Sequence, residues 1–124
     1  MMYKVKRLVK TGEFNGNGIK FEENSLKKAL DEYIENCGNI LLPFNDVNNF
    51  RERTEMLPDA IVGKINSYDD EYVYISELYM EHYKKILESE DIRCQIVTIA
   101  SDFVDIGENK RIYNIDKVSQ IRFV

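Results

Sequence analysis

The segment ENSLKKALDEYIENCG, residues 23 to 38, constrains the fold more than any other part of the chain. Leu26, Ala29, Leu30, Tyr33, Ile34 and Cys37 recur at intervals of three and four residues, so a helix gathers them into one apolar stripe. Lys27, Lys28, Asp31, Glu32 and Glu35 fall mainly off that stripe. Asn24 or Ser25 supplies an N-cap, Glu22 and Glu23 suit the positive end of the helix dipole, and Gly38 is a C-terminal stop. A helix with one apolar face must be buried against another layer, and the rest of the chain offers mainly strands.

Residues 3 to 10, YKVKRLVK, predict a first strand carrying Val5, Leu8 and Val9, with Lys4, Lys6, Arg7 and Lys10 on its solvent side. TGEFNGNG follows as turn chemistry, and Ile19 and Phe21 lie in a short extended piece before the helix. NILLPF, residues 39 to 44, is a short apolar run, and residues 45 to 59 are polar and irregular, which predicts a long surface loop. Residues 60 to 80 predict a hairpin that turns at SYDDE. Tyr79, Tyr83, Ile86 and Leu87 have the spacing of a short second helix. RCQIVTIASDFV, from Arg93, is a β-branched run with Cys94, Ile96, Thr98 and Ala100 alternating, and reads as one central strand. A turn at Gly107 and Asn109 then leads to two more strands, RIYNI and VSQIRFV. The expected architecture is one α+β domain over residues 1–124, with a curved, mostly antiparallel sheet and two helices.

Composition narrows the function classes. The 124 residues are 44% hydrophobic and 31% charged, the balance of a folded chain rather than a disordered one. No apolar stretch approaches the roughly 20 residues of a membrane span, and no apolar core follows the basic N-terminal residues, so neither a membrane role nor a signal peptide is expected. The expected location is the cytoplasm of the cell that makes it. A net charge of −5 argues against nucleic acid as a partner and chiefly maintains solubility. Cys37 and Cys94, far apart and each beside apolar residues, read as two reduced, buried thiols. With a single histidine, His82, and no Cys-x-x-Cys, no metal site and no cofactor are expected. NGNG lacks the lysine and the spacing of a phosphate-binding loop.

The order of elements resembles the protease domain of the tailed-phage prohead proteases, which share the herpesvirus assemblin fold. The stretches that carry the resemblance are NGNGIKFEENSLKKALDEY, the hairpin PDAIVGKINSYDDEYVYISEL, the helix pattern YKKILES and the β-branched strand after it, together spanning roughly residues 3 to 104. The resemblance implies an assemblin-like fold and a phage or prophage origin, in the host cell or on the virion. The family's catalytic positions are not matched. Where it places a histidine this chain has LLPFNDVNN, with Phe44, Asn45 and Asp46. Where it places a serine in a Gly-Ser setting this chain has QIVTIASDF, with Thr98 and Ser101 and no glycine. Ile-Lys-Phe stands in place of the Arg-Tyr-Pro element. The resemblance therefore implies a shortened, catalytically degenerate member.

A hydroxyl nucleophile needs a base within hydrogen-bond reach. Ser101 or Thr98 with His82 or Asp46 is the only set this sequence offers, with Asn45 as an oxyanion donor. Each has a plainer role: His82 flanks the buried face of a helix, and Asn45 and Asp46 cap a turn. Phe50, Arg51, Arg53 and Met56 in the 45–59 loop have the residue types enriched at protein interfaces, and Tyr72 and Tyr74 belong to a tyrosine-rich hairpin that can fill a core edge or form a dimer face. The leading expectation is a non-catalytic binding or assembly module with a protein partner, and with homodimerisation open to it. The alternatives are an endopeptidase with altered catalytic residues and a small inhibitor that meets a host protein through its acidic face.

Overall fold

The computed structural model describes residues 2–43, 61–88 and 92–124. Among them the chain is α+β, with mostly antiparallel strands and two helices. In chain order the elements are β1 (Tyr3–Arg7), β2 (Ile19–Phe21), α1 (Glu23–Asn36), β3 (Asn39–Leu41), β4 (Ile61–Tyr68), β5 (Tyr72–Leu78), α2 (Glu81–Glu88), β6 (Arg93–Ile99), β7 (Asp102–Gly107), β8 (Lys110–Asn114) and β9 (Lys117–Phe123).

The expected curved sheet is a closed six-stranded barrel in the order β1-β5-β4-β3-β9-β6. Two parallel pairings join the hairpins into the ring, β1 to β6 and β3 to β9; the other ladders are antiparallel. Closure leaves no barrel strand with an unpaired edge. The barrel fills with small and branched side chains, Val5, Ile40, Val62, Val73, Ile75 and Ile121 among them. Leu26, Ala29, Leu30 and Tyr33 of α1 join the same core, and α2 adds Tyr83, stacked on Phe123 of β9 at 4.4 Å between ring centres. A separate three-stranded sheet, β2-β8-β7, stands beside the barrel.

Several sequence expectations need correction. The N-cap of α1 is Glu22, not Asn24 or Ser25: its backbone is extended, and its carboxylate accepts from the Asn24 and Ser25 amides at 3.0 and 2.7 Å. Those bonds hold the Glu22 carboxyl below its usual range. Ser25 serves instead as a bridge, with its hydroxyl donating to the Glu22 carbonyl and accepting from the Ile115 amide, 90 positions away, at 2.9 Å. Cys37 is exposed rather than buried. It is the C-cap, and its φ of −146° turns the side chain off the helical stripe just before Gly38, at φ 62°, ends the helix. The run from Arg93 is two strands, not one: it breaks at Ala100 and Ser101, and β7 leaves the barrel for the second sheet. Arg7 is not on the solvent side. Strand periodicity puts it on the face of Val5, and it is 4% exposed.

The two thiols give a direct check. Burial pushes the Cys94 thiol up to about 12, so almost none of it is thiolate at neutral pH. In native protein, a disulfide reagent at pH 8 is expected to titrate one thiol quickly, at Cys37, and the second only after denaturant is added.

Candidate functional site

The surface best suited to contact another molecule is the three-stranded sheet, built from both ends of the chain. Its inner strand pairing, β2 with β8, is parallel, with Ile19 opposite Arg111 and Phe21 opposite Tyr113. The Asn-Gly stretch before β2 forms a turn in which the Asn15 side chain accepts from the Asn17 and Ile19 amides at 2.8 and 3.0 Å. Gly18, at φ 75°, lies so close to Asn109 that a Cβ there would collide with the Asn109 carbonyl oxygen, and its own carbonyl accepts from the Arg111 amide at 2.9 Å. The NGNG stretch thus clamps the β7–β8 hairpin at its turn, where Gly107, Glu108 and Asn109 all take positive φ.

β7 is the outer strand of this sheet, hydrogen-bonded to β8 on one side and to no described strand on the other. All six of its residues are exposed, including Phe103 at 44%, Val104 at 57% and Ile106 at 50%. Phe103 shares a face with Tyr113, 5.0 Å away, and lies under the Arg111 guanidinium at 4.9 Å. Val104 and Ile106 are on the opposite face. An open edge flanked by apolar side chains on both faces is a template for strand addition. An aromatic ring with an arginine over it is also typical of the centre of protein interfaces.

The residues singled out from sequence lie elsewhere. Asp46, Phe50, Arg51, Arg53 and Met56 fall outside the described residues. Tyr72 and Tyr74 sit on the outer face of β5 beside β1. Tyr72 lies under Lys4 Nζ at 4.6 Å, and Tyr74 donates its hydroxyl to the Asp69 carboxylate, which keeps Asp69 low and pushes Tyr74 up. Tyr68 and Tyr79 likewise donate to Asp31 and Glu77, so these tyrosine hydroxyls are held by carboxylates. His82 is exposed on α2, its ring meeting Tyr83 edge-on. Thr98 is half-buried on β6 opposite Val118, and Ser101 is exposed in the bend before β7. Among the described residues no hydrogen bond links His82 with Thr98 or Ser101, and no group of three or more His, Cys, Asp or Glu is arranged to hold a metal. No described helix is long and apolar enough to cross a membrane.

The sequence did carry a sign of β7 that a reading of one long strand hides. In DFVDIG, apolar residues fall at both odd and even positions, a pattern that leaves one of two faces uncovered in a strand at an edge. No family model, no curated protein and no solved structure matches the chain.

Proposed function

We propose that this chain is a non-catalytic binding and assembly module of phage or prophage origin, and that it works as a homodimer joined edge to edge through β7. The open, apolar β7 edge carries this reading; the resemblance in element order to the prohead proteases supports the origin and an assemblin-like descent for the barrel.

Self-pairing suits the residues of β7. In an antiparallel β7–β7 ladder centred on Val104, the two Val104 side chains lie opposite each other, and each has the second copy's Ile106 as its diagonal neighbour on the same face. Each Asp105 then lies opposite the second copy's Phe103 rather than opposite the other Asp105, so like charges are not paired directly across the axis. Val104 and Ile106 of the two copies thus form one apolar cluster on the shared face. A two-fold interface of this kind is closed and leaves no further edge to recruit a third copy.

Light scattering coupled to gel filtration tests the reading. Wild type is expected to run as a dimer at tens of micromolar, and Val104→Lys, which adds charge at an exposed edge position, as a folded monomer with an unchanged melting temperature. A wild type that stays monomeric at all accessible concentrations overturns the dimer.

A further inference from the structure

A cavity of about 500 Å³ opens at one end of the barrel, between β1, β6, β2 and the loop after β1. Its walls are largely apolar, with Leu8, Val9, Ile19, Phe21, Leu26 and Ile96 among the lining residues, and Arg7 and Lys10 also line it. The size falls in the range of roughly 300–1,000 Å³ typical of small-molecule sites.

Arg7 is the unusual group. It is almost wholly buried, yet among the described residues no carboxylate lies within ion-pair distance of it. Nη1 donates to the Thr11 hydroxyl and to the Asp69 carbonyl, both at 2.8 Å. Nε is buried with no hydrogen-bond partner among the described residues. A guanidinium stays protonated in proteins and offers five donors, so a buried one is ordinarily matched by an anion or by a full set of acceptors. Asp70 and Asp69 act on Arg7 only from beyond ion-pair distance, and Cys94 on β6 cannot serve as the counter-ion because burial keeps its thiol neutral. Among the described residues that line the cavity, Glu13 is the only carboxylate, against the two cations Arg7 and Lys10. With Nη1 occupied, the free edge of the guanidinium is the one that carries Nε and Nη2, a fork matched to the two oxygens of a carboxylate.

We propose that this cavity binds a small monocarboxylic acid with a hydrocarbon body, the carboxylate on the Nε edge of Arg7 and the chain against Leu8, Ile19, Phe21 and Ile96. The charge fixes the orientation of the ligand and the walls supply the contact area. No residue of β7 lines the cavity, although β2 contributes both to the cavity wall and to the sheet that β7 edges.

Calorimetric titration of the full chain with octanoate tests this, with 1-octanol and acetate as probes of the tail and the charge taken singly. Octanoate is expected to bind at least about tenfold more tightly than either, since a charge-assisted bidentate pair and the tail each contribute. Arg7→Met is expected to abolish the preference of acid over alcohol. Leu8→Glu places a like charge at a half-exposed lining position, where folding is not at stake, and is expected to weaken octanoate about tenfold or more. If Arg7→Met does not fold, Leu8→Glu decides the matter. Equal affinity for octanoate and octanol overturns the proposal, as does unchanged octanoate affinity in the variants. Binding of a short peptide through its C-terminal carboxylate but not of octanoate assigns the cavity to chain ends and also overturns it. Val104→Lys is expected to bind octanoate as wild type does, which separates failure here from failure of the β7 dimer.

Discussion

Phe123→Ala is expected to lower unfolding stability by about 3–5 kcal/mol, the range for deleting a buried ring. Phe123 is 1% exposed near the end of β9, opposite Cys94 on β6, so the change opens a cavity where the barrel closes. Small domains have only about 5–15 kcal/mol in hand, so the urea midpoint should fall by about a fifth or more. A second consequence is local. α2 is eight residues long, too short to persist alone, and Tyr83 is its one fully buried side chain, stacked on Phe123 with the rings 14° from parallel. Losing the ring removes the platform that holds α2 to the barrel. Hydrogen exchange in Glu81–Glu88 should therefore rise more than in β4 or β5. Phe123→Leu keeps much of the volume, and its cost is expected to stay below about 2 kcal/mol while α2 still loosens, because stacking geometry rather than area is what it loses. Equal protection of α2 in wild type and Phe123→Ala would refute the tether.

α1 and the hairpin β4–β5 were legible in the sequence because their determinants are local. The stripe from Leu26 to Ile34 repeats at helical spacing, Gly38 stops it, and SYDDE turns between two alternating segments. Barrel closure was not legible. It depends on Lys6 meeting Arg93 and on Leu41 meeting Arg122, parallel contacts between segments about eighty residues apart that leave no pattern in either one. Cap identity was missed for a different reason: a glutamate at position 22 starts the helix earlier by accepting from the Asn24 and Ser25 amides, and the serine was drawn to Ile115 by tertiary structure. Arg7 was legible and overlooked. Two residues after Val5 it must share that residue's inward face, and grouping it with Lys4, Lys6 and Lys10 by charge ignored the strand period. The β7 edge was obscured because a strand that changes sheet looks continuous when β-branched residues flank the break, Thr98 and Ile99 before it and Val104 after it.

Gly63→Ala is expected to cost roughly 1–3 kcal/mol, at the upper end of what one added methyl imposes on a packed core. Gly63 is buried on β4, opposite Ile40 of β3 on one side and Leu78 of β5 on the other. A Cβ built there would be 3.1 Å from Leu78 Cδ2 and 3.3 Å from Ile40 Cγ2, and would collide outright with the Glu77 carbonyl oxygen. The two side chains can give way, but the carbonyl belongs to the β4–β5 ladder. Relief therefore requires moving backbone in a closed ring, where displacement of one strand is passed to its neighbours. This separates Gly63 from an ordinary crowded site: trimming Leu78 to alanine in the Gly63→Ala background should not restore stability, because the contact that decides the cost is not with Leu78. The double variant is expected to unfold at lower urea than either single one. Recovery toward the Leu78→Ala level would show instead that the barrel wall yields at β5, and that glycine at this position is a matter of side-chain packing alone.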